Sequence, residues 1–160
     1  MLQEREPVIV VGVDGTPEGL AALLFALDEG VRRDCSVEVV TTWMWGEPYE
    51  AMATGVDAAR QAAEEIQETQ LHDAIRKLDV LPVVSRLVVE GEPGPVLVHM
   101  SNHASYLVVG HSHKGALRRA LLGSVSDYCV RHSRVPVMVV PLPESAVGTS
   151  GRANRVPAIP

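Results

Sequence analysis

Residues 109–126 read VGHSHKGALRRALLGSVS. His111, His113, Lys114, Arg118 and Arg119 lie there between Gly110 and the pair Gly123-Ser124, with no acid among them. Such a stretch can receive an anion. Gly110 lets the chain turn sharply off an apolar run. Gly123-Ser124 opens a segment whose free N–H groups and positive dipole end attract negative charge, as at any helix start. Ser124 at the cap adds a hydroxyl donor, and Ser126 offers a second. Arg118 and Arg119 are adjacent and cannot both point inward. The plainer alternative is a solvated basic loop followed by an ordinary capped helix.

Asp14, in VGVDGTPEG, is a second candidate. At a strand end it could hydrogen-bond a ribose or hold a metal, or it could simply cap the helix that follows. Gly12, Gly15 and Gly19 are spaced wrongly for the dinucleotide fingerprint, and no GxxxxGK[ST] phosphate loop occurs. His111 and His113 alternate as a chelating pair could, but no third ligand stands nearby at helical or hairpin spacing, so an accidental pair is expected. His72, His99 and His132 fall in predicted helices without identifiable partners. No GxSxG elbow is present, and no catalytic constellation emerges. Cys35 and Cys129 match neither CxxC nor a zinc spacing and are expected to be ordinary buried thiols of a reducing compartment.

The elements that must position these residues follow from periodicity. VIVVGVD (8–14) is a β-branched run of the kind buried on both faces of a sheet. A helix follows to Arg33, with Thr16 as N-cap, Pro17 in the first turn and Glu18 behind it. SVEVVTTW (36–43) is a strand, and an Ala/Glu/Gln-rich stretch over 52–79 has helical propensity throughout. VVSRLVVEG (83–91) is a third strand and GPVLVHMSNH a short helix. SYLVVG (105–110) is a fourth strand, ending at Val109-Gly110, GSVSDYCVRHS a helix capped by Ser124, and VPVMVVP (135–141) a last strand. The remainder, rich in Pro, Gly, Ser and Ala, is expected to be a flexible tail.

Strands alternating with helices predict an α/β fold with an open parallel sheet and helices on both faces, where ligands sit beyond the carboxyl ends of the strands. Asp14 and the Gly110 loop face one crevice if the first and fourth strands are neighbours. The chain of 160 residues suits one domain, expected over 1–142, with the tail at 143–160. Its 46% hydrophobic and 21% charged residues are those of a globular protein, and a net charge of −6 argues against broad nucleic-acid binding. No apolar stretch approaches a membrane span and MLQEREP is not a leader, so a cytoplasmic protein is expected. The uncharged run VPVMVV, if it forms an edge strand, invites pairing with its twin across a two-fold axis.

Gly110-x-x-His113, then nine residues, then Gly123-Ser124 resembles the universal stress protein signature G-x2-G-x9-G-[ST]. VIVVGVDGTPEG, TTW, VVEGEPGPVLV and HSRVPVMVVP strengthen the likeness, which runs over 7–141. The resemblance implies a five-stranded parallel sheet in the order 3-2-1-4-5, Rossmann-like, and a homodimer joined through the last strand, 135–141. It implies binding of ATP or another adenine nucleotide, with or without Mg2+. By resemblance Asp14 meets the ribose or adenine, the backbone at Thr42 meets adenine, Gly110 and the turn after it cradle the sugar-phosphate, and Gly12 and Val109 belong to the same nucleotide-binding set. Gly123, Ser124, Val125 and Ser126 then donate to phosphates. His113 stands where nucleotide-binding members have glycine, and either fills part of the phosphate cleft or donates to it. Three readings follow: a nucleotide-binding stress-response module, a dimeric interaction protein of the same fold that binds no nucleotide, and a weak phosphohydrolase using Asp14 and His113. Trp43 and Trp45 either flank an adenine or seal a helix against the sheet.

Overall fold

The first strand, β1 (Val8–Gly12), is buried along its whole centre, because four consecutive apolar side chains must be covered on both faces of the sheet. The computed structural model describes residues 6–44, 48–111 and 122–143, the side chains of 48–54 apart. After β1 come α1 (Pro17–Arg33), β2 (Ser36–Trp43), α2 (Pro48–Ile75), β3 (Val84–Glu90) and α3 (Pro93–Met100). A single 3-10 turn (Ser101–His103) leads into β4 (Tyr106–Gly110), followed by α4 (Ser124–His132) and β5 (Val137–Val140). The strands form one parallel sheet in the order β3-β2-β1-β4-β5, as expected.

Alternation along each strand divides the core in two. Ile9 and Val11 of β1, with Val37, Val39 and Val108, pack under α1 and α2 through Ala22, Leu23, Leu27 and Leu71. Val10, Val40, Leu107 and Val109 face the other way, against Leu97 of α3 and Cys129 of α4. Cys35 and Cys129 are free and buried, as expected; burial pushes the Cys129 thiol up to about 11 and raises that of Cys35.

Two expectations need correction. The helix expected over 52–79 runs from Pro48 to Ile75 and is broken at Gly55 (φ 76°, ψ 156°), where two helical pieces meet. Propensity favours helix along this stretch, but a glycine can adopt the positive φ of a break without steric cost. The cap of α4 is Gly123, not Ser124, which already lies inside the first turn.

The α2 helix is fastened by polar side chains as well as by packing. Gln67 is 1% exposed, and its amide donates to Val39 O (3.1 Å), Thr41 Oγ1 (3.2 Å) and Leu87 O (2.9 Å) while its oxygen accepts from Arg86 Nε (3.2 Å). It thereby ties α2 to both β2 and β3. At the opposite end of the sheet, the Tyr106 hydroxyl donates to Glu29 (3.3 Å), with the Arg33 guanidinium 6.0 Å above its ring.

Gln67→Ala should lower the unfolding free energy by about 2–4 kcal/mol in a urea titration, since it empties a packed site and strands three acceptors. Desolvation, then the charge of Glu29, pushes the Tyr106 hydroxyl up to about 12. The folded chain therefore keeps this proton to higher pH than the unfolded chain. Its contribution is whole below about pH 10 and disappears as pH rises through about 12. Near-ultraviolet titration should show a phenol that ionises late, and Tyr106→Phe should abolish both that signal and the matching part of the alkaline loss of stability.

Candidate functional site

The strand order reverses between β1 and β4, and the helices that follow them, α1 and α4, pack on opposite faces of the sheet, the arrangement in which α/β folds keep a crevice beyond the strand ends. On one side is the β1–α1 loop. Asp14 is exposed, and its Oδ1 accepts from Thr16 N (3.1 Å) and Thr16 Oγ1 (2.6 Å). Thr16 is the N-cap of α1, and its hydroxyl oxygen accepts from Gly19 N (3.0 Å). Asp14 therefore does the plainer job foreseen for it, supporting a helix cap, from the lip of the crevice. A side chain at Gly19 would place its Cβ 2.5 Å from Asp14 Oδ1, so the carboxylate sits where it does only because position 19 is glycine.

Gly15 takes a positive φ of 84°. Its N–H donates to Gln70 Oε1 (3.0 Å), and Gln70 Nε2 donates to Thr16 O (2.7 Å). Ile66, one turn earlier on α2, lies over Gly15 and is 40% exposed, an apolar surface beside the loop. These α2 residues escaped the sequence reading. The signal was present: Ala63, Gln67, Gln70, Leu71 and Ala74 are buried at helical spacing, and two uncharged glutamines on that face interrupt a run otherwise rich in Glu.

The neighbouring strands supply the remaining candidates. Gly12 ends β1 and leaves room for Leu97, whose Cδ1 lies 2.7 Å from where a Cβ would stand. Thr42 is half-buried near the end of β2 opposite Val89, and Trp43 pairs with Glu90. Trp45 lies outside the described residues. Val109 is buried within β4.

Gly110 serves packing rather than turning. Its φ is not positive, and a Cβ there would stand 2.6 Å from the Glu18 carbonyl of α1. The ladder continues past it, with His111 N donating to Val140 O (2.8 Å). The sharp turn expected at Gly110 is thus absent from that residue. His113 lies outside the described residues, as do all of 112–121.

On the far side of the crevice, α4 begins at the uncapped Gly123. The first helical bond runs from Asp127 N to Gly123 O (2.8 Å). The amides of Ser124, Val125 and Ser126 precede that bond and have no acceptor within the helix. Ser124 is exposed and Val125 half-buried. Ser126 is buried, and its hydroxyl donates to Gly123 O (3.0 Å), so that oxygen's proton is not offered to a ligand, contrary to expectation. What the helix start presents is therefore backbone N–H groups and the Ser124 hydroxyl. Among the described residues no group of three His, Cys, Asp or Glu is placed to hold a metal.

A separate cavity of about 390 Å3 opens at the amino ends of β2 and β3, between Val31, Cys35, Val80 and Val83. It lies at the wrong end of the sheet for this crevice.

The profile of the Universal stress protein family matches residues 7–141. A universal stress protein of Mycobacterium tuberculosis is 36% identical over 131 residues, spanning 82% of this chain and 44% of its own length. The chain thus spans less than half of the curated relatives it matches. Among solved structures, UspA from Lactobacillus plantarum superposes with a TM-score of 0.69 at 18% identity, covering 86% of this chain and 99% of that one. A universal stress protein in complex with cAMP gives 0.61 at 22% identity (84% and 96% covered). An Arabidopsis thaliana family protein with AMP bound gives 0.59 at 19% identity (89% and 96%). No described helix is long and apolar enough to cross a membrane. With its signature residues, its strand order and this profile match in agreement, the chain belongs to the universal stress protein family.

Proposed function

We propose that this chain is an adenine-nucleotide-binding stress-response module, holding ATP or AMP, with or without Mg2+, in the crevice between β1 and β4. The observation that carries the reading is the pairing of an exposed carboxylate, Asp14, on one lip with the uncapped amides of Ser124–Ser126 on the other. The first is suited to hydroxyls of a sugar, the second to the oxygens of a phosphate. Gly12, Thr42, Val109 and Gly110 line the strand ends between them, and the exposed side chain of Ile66 offers an apolar surface to a base. The cAMP and AMP complexes of family members support the same ligand class.

The unit that binds is residues 1–142, with 143–160 as a tail. It works in the cytoplasm, where Cys35 and Cys129 stay reduced. It acts as a homodimer through β5, an edge strand of four uncharged residues whose outer backbone groups invite a partner strand.

The second reading, a dimeric interaction protein without a nucleotide, is favoured by one observation. His113 occupies the signature position where nucleotide-binding members carry glycine.

Calorimetric titration of nucleotide-stripped protein should give micromolar binding of ATP or AMP. Ser124→Pro removes one N–H and the hydroxyl at a position where proline suits the helix. It should keep the melting temperature and weaken ATP roughly tenfold or more. Gly19→Ala, which displaces the Asp14 carboxylate, should weaken AMP as well. No heat with ATP, AMP or cAMP at millimolar concentration overturns the reading, and binding restored by His113→Gly would then trace the loss to that histidine. Sedimentation across micromolar concentrations should give twice the 17.2 kDa chain mass, and a monomer throughout would refute pairing through β5.

A further inference from the structure

Among the described residues, one side chain from another element hydrogen-bonds the β1–α1 loop. Gln70 is 7% exposed, and both ends of its amide are spent on the loop's main chain: the oxygen on Gly15 N–H (3.0 Å) and the nitrogen on Thr16 O (2.7 Å). Thr16 in turn gives both its N–H and its hydroxyl proton to Asp14 Oδ1. The path from Gln70 to the carboxylate is therefore continuous, through one residue. Ile66 presses on Gly15 from the same helix face, its Cγ2 3.0 Å from where a Cβ would stand. Gln67 anchors that helix to β2 and β3.

The main-chain conformation also needs this support. Gly15 sits at φ 84°, a region glycine enters freely but has no intrinsic reason to prefer over the alternatives. The loop is exposed at Asp14, Gly15 and Thr16, so water competes for its polar groups. A buried amide that pairs with two successive peptide units selects one conformer out of several, because its own orientation is fixed by packing.

We propose that Gln70 is the positioning residue for Asp14, setting through Gly15 and Thr16 the direction in which the carboxylate meets the sugar of a bound nucleotide. The proposal deepens the nucleotide reading and rests on it for the ligand. It makes α2 part of the binding apparatus rather than a cover for the sheet. It also gives the crevice a mechanical link to the β2–β3 edge, through a helix that Gln67 and Gln70 fasten one turn apart.

Gln70→Met keeps the length and packing of the side chain and neither hydrogen bond. In the ligand-free protein, amide exchange at Gly15 should accelerate roughly tenfold or more, while the β2 and β3 amides under Gln67 keep their protection. AMP affinity should fall roughly tenfold in the native background and change by less than about twofold in an Asp14→Ala background, because the effect passes through that carboxylate. An equal loss of affinity in both backgrounds would make Gln70 a general structural support and overturn the proposal. Unchanged Gly15 exchange would overturn it as well, with or without ligand. A native protein that takes up no AMP at all, yet shows the Gly15 response, sinks the nucleotide reading and the sugar-directed role with it, leaving only a loop clamp. The failures are thus distinguishable.

Discussion

Parallel strands cannot be joined by a tight turn, because the chain must travel back the length of the sheet before it can run forward again. Every connection in this protein is therefore a crossover, and each deposits a helix on one face or the other. Both faces of β1 must then be apolar, which is why it carries only β-branched side chains between its ends. The same constraint decides where function can lie. Each strand ends, and each following helix begins, at one end of the sheet, so loop residues far apart in sequence gather there while the opposite end receives the returns.

The reversal of order between β1 and β4 turns that crowding into a crevice. The helices that follow the two strands, α1 and α4, lie on opposite faces of the sheet, the arrangement that leaves a crevice at such a reversal. Tight packing at its floor sets the local chemistry. Gly110 has no side chain because the first turn of α1 passes over it, and Gly19 has none because Asp14 occupies the space. Gly110, which in sequence suggests a sharp turn into an anion loop, is in this fold a close contact between two backbones. What remains at the two helix starts is the exposed Asp14 carboxylate and the first α4 amides, which have no acceptor within the helix.

The polar fastening of α2 complements this. A helix laid over the edge of a sheet by apolar contacts alone could slide by a fraction of a turn, since such contacts are not directional. Gln67 and Gln70 remove that freedom by pairing with main-chain groups of β2, β3 and the β1–α1 loop. The price is burial of two amides, tolerable because the oxygen and the nitrogen of each are hydrogen-bonded.

The order of elements was legible in the sequence because burial on both faces writes itself as runs of Val, Ile and Leu, and because Thr16-Pro17 is a helix start in any context. The motif from Gly110 to Ser124 and its neighbours carried the family and, with it, the strand order. Other features were decided only by the fold. Helical propensity could not reveal the break at Gly55, since a glycine in a helical run is compatible with either outcome. Side-chain type could not reveal that Ser126 turns its hydroxyl back on Gly123 while Ser124 stays exposed, since both are serines at the same helix start. Nor could it single out Gln70 from the other glutamines of its helix, because its partners are main-chain groups 54 and 55 residues away. Local sequence sets which way a segment prefers to fold and which face it buries. Contacts between distant segments arise only when the sheet has closed and brought their backbones together.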